Sequence, residues 1–106
     1  MKISKCIKMF GVTITTELVD TLVQDEGFVG EAVIKRNIIK LQKNNAGIQK
    51  NRDDIERVFC HEIVHHMLHQ LHKFELRDDE NFVDVFSRLL HQVLCSIEKE
   101  EEIDTI

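Results

Sequence analysis

His61-Glu62-Ile63-Val64-His65 is the stretch of this chain whose residue types and spacing amount to a chemistry. On a helix, residues four apart stand one turn above each other on the same face, so both imidazoles can reach one metal ion. The glutamate after the first histidine then points near the metal's open side. Catalytic zinc takes three protein ligands and keeps a fourth position where water loses a proton far more readily than in bulk. His61 and His65 are therefore candidate ligands. Glu62 is the candidate base, taking a proton from water and later delivering it to a leaving amine.

A third ligand has to come from another element. Glu80 and Asp84 open a second helical pattern and lie one turn apart on one face. Two helices joined by a short link pack antiparallel, which can carry a carboxylate to the metal. The expected division is Glu80 as ligand to one Zn2+ ion and Asp84 as acceptor of the free ring N–H of a ligand histidine, His61 foremost. Asp84 as the ligand itself is the alternative.

These groups need a scaffold, and the pattern supplies an α+β one. In the first half, Val12-Thr13-Ile14-Thr15-Thr16 is β-branched and alternating, after a reversal at Gly11. Residues 18–23 continue that strand or form a helical turn, and Asp25-Glu26-Gly27 and Gly30 mark turns. Residues 31–35 and 37–42 read as two more strands around a turn at Arg36-Asn37, followed by a loop over residues 43–47. A small, mostly antiparallel sheet of three or four strands over about residues 2–42 is expected, with lysines guarding its edge.

The second half reads as two helices. Asn51, Asp53 or Asp54 caps the first, over about residues 52–73, with Ile55, Phe59, Ile63, Met67 and Leu71 as its apolar stripe. Residues 74–77 form a link. Asp78 or Asp79 caps the second, over about 79–98, with Phe82, Phe86, Leu89, Val93 and Ile97 on one face and a frayed, solvated end beyond.

HExxH on one helix followed by Glu80-x-x-x-Asp84 on the next resembles the gluzincin metallopeptidases. With a small sheet before the two helices, the chain is similar to the minimal phage-type and ImmA/IrrE-like versions. The likeness covers roughly residues 28 to 95, through Gly30-Glu31, the Ile38-Ile39 strand, the HExxH helix and Glu80 to Gln92. It implies that a sheet edge holds an extended peptide by backbone pairing, with the scissile carbonyl over the zinc. The chain departs from larger relatives in its short His65 to Glu80 interval and in having no tyrosine to stabilise an oxyanion. His91 is the favoured substitute donor, with Arg88, His69 and His72 as others.

Composition bounds the remainder. A chain of 106 residues with 42% hydrophobic and 31% charged content fits one globular domain. A net charge of −5 argues against a dedicated nucleic-acid binder. No apolar run is long enough for a membrane span, and the N-terminus does not lead into an apolar signal segment. Cys6, Cys60 and Cys95 are odd in number and widely spaced, as expected of reduced cytoplasmic thiols. Cys60 points away from His61 and reads as a buried thiol. His66, His69 and His72 read as packing or surface histidines ahead of a second metal site, and Lys35, Arg36, Lys40, Lys43, Lys50 and Arg52 as a solvated edge.

The sequence thus leads to a minimal zincin that hydrolyses a peptide bond in a specific protein. One alternative is an inactive zinc-binding regulatory module of the same fold, acting beside a protein partner. Another is a metal-free helical domain whose second helix buries against a second copy.

Overall fold

The structure, a computed structural model, describes residues 1–20, 30–42, 44–45, 48–49 and 51–105, giving only the backbone of 44–45 and 48–49. β1 (Cys6–Met9) and β2 (Val12–Val19) form a hairpin. Its two turn residues, Phe10 and Gly11, have φ of 47° and 79°. Two successive positive φ values give a hairpin turn whose twist matches that of the strands, and Gly11 reaches its value without steric cost.

β3 (Gly30–Val33) pairs antiparallel with β4 (Ile38–Gln42) through a 3₁₀ turn at Ile34–Arg36 and a left-handed Asn37. The second expected strand therefore stops short of Lys35. β4 inserts beside β2 in parallel, Thr15 opposite Ile38 and Val19 opposite Gln42, giving the order β1-β2-β4-β3. The sheet is mixed because the chain leaves at β2 and re-enters on the far edge at Gly30. Lys40 consequently sits on an inner strand and not at an edge. Residues 44–45 and 48–49, expected as loop or unassigned, pair as a short antiparallel ladder of β5 (Asn44–Asn45) and β6 (Ile48–Gln49). The turn expected at 25–27 lies outside the described residues.

Helix α1 (Arg52–Gln70) starts where the Asn51 side chain accepts a hydrogen bond from the Asp53 N–H at 2.8 Å. It lies between two layers. On one side Ile55 and Phe59 close over Ile14, Ile39 and Leu41; on the other Val64 and Leu68 meet Val83 of the last helix. Burial of a side chain the size of Phe59 is worth about 1.5–3 kcal/mol. Coverage on two sides explains why the expected four-residue stripe fades, with Leu71 left exposed while Glu56, Glu62 and His66 are buried. His66 is a packing histidine whose Nε2–H donates to the Ile38 carbonyl at 3.0 Å, tying α1 to β4.

α2 (Phe74–Arg77) is a single turn where a link was expected, and α3 (Glu80–Lys99) begins at Asp79, whose carboxylate accepts from the Phe82 N–H. α3 turns Val83, Ser87 and His91 toward α1. Small Val and Ser side chains let the helices approach, so the bulkier row of Phe86, Leu89, Val93 and Ile97 faces outward and exposed. Among the described residues no helix is long and apolar enough to cross a membrane.

Gly30 is where the sheet meets α1. A Cβ there would overlap Val58 Cγ1 and stand 3.2 Å from Glu62 Oε2. Valine is stiff at χ1 and cannot simply swing aside. Gly30→Ala should cost about 1–3 kcal/mol in urea unfolding, and Val58→Ala in the same chain should recover part of it. Equal midpoints for wild type and Gly30→Ala would refute this close approach.

Candidate metal centre

Mid-α1 carries His61 and His65 on one face, ring centroids 5.0 Å apart. The antiparallel return through α2 lays the start of α3 across them. Glu80 then reaches both, Oε2 at 3.1 Å from His61 Nε2 and Oε1 at 3.1 Å from His65 Nε2. Ligand atoms from the three residues all lie within 4.8 Å of one another. Two N/O ligands on tetrahedral zinc, with bonds of ~2.05 Å, stand roughly 3.3 Å apart. The donor set and its spacing fit that ion.

Each ring also has a neighbour besides Glu80. Asp84 Oδ1 lies 3.9 Å from His61 Nδ1, within ion-pair range though longer than a hydrogen bond, while its other oxygen accepts from Arg88 at 2.8 Å. The Arg77 backbone lies near the His65 ring and acts to raise its pKa. Sequence reasoning missed that neighbour, because backbone leaves no residue-type signal. Burial lowers the His65 pKa and favours the neutral ring that a metal requires.

Glu62 is 5% exposed, packed beneath Gly30 of β3. Burial, then the charges of Glu80 and Glu31, push its carboxyl up to about 8. A divalent cation beside it acts in the opposite direction, stabilising the carboxylate. The side chain borders an open cleft of about 1100 Å3 that also takes in His61, His65, Glu80 and the β3 residues Gly30, Glu31 and Ala32.

The structure does not bring His91 to this cleft. Its Nε2–H donates to Glu56 Oε1 at 2.9 Å, deep between α1 and α3 and three turns along α3 from Glu80. Eleven residues of helix carry it roughly 16 Å away, too far for a side chain to return. The expected oxyanion donor is thus misplaced. The cations bordering the cleft include Arg77 and Arg88. Arg77 contacts Asp78 and His69 Nδ1, both at 2.9 Å, and His69 also borders the cleft. His72 instead sits against the Phe74 ring.

No family model matches the chain, and no match to it was found among curated proteins or solved structures.

Proposed function

We propose that the chain is a zinc-dependent endopeptidase that hydrolyses a peptide bond in an extended segment of a specific protein. The observation that carries this reading is the convergence of His61, His65 and Glu80 with a buried Glu62 at the same cleft. The resemblance of HExxH plus Glu80-x-x-x-Asp84 to the gluzincins points the same way. Bound zinc would supply Lewis acidity toward water and the peptide carbonyl.

The protein's own groups do the rest. His61, His65 and Glu80 would hold the ion, with Asp84 beside the His61 ring and the Arg77 backbone near the His65 ring. β3 is an outer strand of the sheet, so an extended substrate can add to it by backbone hydrogen bonds. Glu62 takes the proton of the attacking water and passes it to the departing amine.

One observation favours the alternative, an inactive zinc-binding regulatory module. Arg88 is engaged by Asp84 and Arg77 by Asp78, which leaves either guanidinium only part of its donors for an oxyanion. Metal analysis and cleavage of an unfolded protein substrate test the proposal together. Purified protein should carry zinc and cleave. Glu80→Gln should weaken zinc binding by about 100-fold or more and lose cleavage with it. Full zinc retention in that variant would remove Glu80 from the ligand set.

A further inference from the structure

The displaced His91 belongs to a second cluster with ligand chemistry of its own. Glu56 on α1 faces His91 and Cys95, which stand one turn apart on α3. His91 Nε2 is 2.9 Å from Glu56 Oε1, Cys95 Sγ is 3.4 Å from His91 Nε2, and Sγ is 3.7 Å from Oε1. Tetrahedral zinc with a sulfur bond of ~2.3 Å and N/O bonds of ~2.05 Å sets S···N and S···O at roughly 3.6 Å and N···O at roughly 3.3 Å. The observed triangle lies within a few tenths of an ångström of those values.

The plan repeats that of the first centre with the helices exchanged. There, α1 supplies an i, i+4 pair and α3 a glutamate; here, α3 supplies the pair and α1 the glutamate. Glu56 and His91 are buried, and Arg52 Nε donates to the other Glu56 oxygen at 3.1 Å, leaving Oε1 aimed at the histidine and the thiol.

We propose that Glu56, His91 and Cys95 form a second divalent-metal site, selective for a borderline cation such as zinc or cobalt, at the far end of the α1–α3 pair. Imidazole and thiolate select these ions over magnesium or calcium. On binding, the Cys95 thiol gives up its proton to solvent, and His91 frees Nε2 by carrying its proton on Nδ1. The Met1 ammonium, 2.9 Å from Glu56 Oε1, must yield its contact. Glu98 Oε2, 3.3 Å from the same nitrogen, stands ready as its counter-ion. An ion here would pin the start of α1 to the end of α3, a structural role separate from hydrolysis.

Sulfur ligation separates the two centres, because the first contains none. Cobalt(II) bound by thiolate gives a near-ultraviolet charge-transfer band that nitrogen and oxygen ligands do not. Chelator-stripped full-length protein titrated with cobalt(II) should develop this band and saturate it by two equivalents, since the first centre takes up the ion as well. Where His61 and His65 are replaced by alanine, it should saturate at one equivalent. The band should persist in the His61→Ala/His65→Ala variant, disappear in Cys95→Ser, and need roughly 100-fold more cobalt in His91→Ala. X-ray absorption on the cobalt-loaded double-histidine variant, which keeps Glu56, His91 and Cys95, should find one sulfur neighbour. Absence of the band in wild type, its survival in Cys95→Ser, or no sulfur neighbour in the absorption spectrum would each overturn the site.

Discussion

Glu62→Gln should keep its zinc and lose its hydrolysis. Glutamine has the volume and hydrogen-bonding reach of glutamate but cannot accept the proton that peptide cleavage must move. Removing a general base typically costs 100- to 10,000-fold in rate, so kcat should fall by about that range, or roughly 3–5 kcal/mol of barrier. Folding is not at risk. The pocket beneath Gly30 already favours a neutral group in the absence of a cation, since the Glu62 carboxyl stays protonated up to about pH 8. Zinc content measured beside the rate of cleavage decides the matter. Zinc retained with cleavage abolished supports the peptidase, whereas equal cleavage by wild type and variant would remove Glu62 from the chemistry. If neither protein cleaves while both hold zinc, the inactive regulatory module is the better reading.

The legible part of this site is the part written locally. His61 and His65 needed only a helix, and Glu80 needed only a short link that lets the next helix fold back, so the spacing of the sequence carried both. His91 was misplaced for a related reason. It lies on the same helix as Glu80 and on nearly the same face, but eleven residues move a side chain far along the axis. Its true partner, Glu56, is 35 residues away and carries no motif. The strands were legible from β-branching and from the turn at Gly11. The parallel pairing of β2 with β4 was not, because strand order depends on where the chain re-enters the sheet. Apolar stripes misled in both helices. Four-residue periodicity finds an amphipathic face when one side of a helix is covered, and α1 is covered on two. On α3, the side facing α1 is set by what packs closely, Val83 and Ser87, and not by where the largest side chains lie.

Metal-free protein should lose stability between pH 6.5 and 8, and Glu62→Gln should remove most of that loss. The Glu62 pKa is raised from 4.5 to about 8 in the fold. A group raised on folding contributes stability that is fully present below its unfolded pKa and is lost as pH climbs through the folded one. Other groups act elsewhere on the scale. His65 and His66 are lowered from 6.5 by burial, so they favour the folded state as pH rises toward that value and stop contributing slope above it. The Met1 amine, raised from 8.0 to about 10 chiefly by Glu56, and the Cys60 thiol, raised from 9.0 to about 11 by burial, lose their contributions only above about 8 and 9. Glu56 releases its own below 4.5. The interval from 6.5 to 8 thus isolates Glu62, and a pKa of about 8 predicts a fall of roughly 1.6 kcal/mol across it. Urea unfolding in chelator, with both proteins followed across that interval, measures the difference. Parallel profiles would mean that the carboxyl is hydrated in solution and not buried under β3. Zinc should flatten the wild-type profile, since a cation beside Glu62 removes the reason for its raised pKa, so the same titration repeated with metal reports whether the ion and the glutamate share one site.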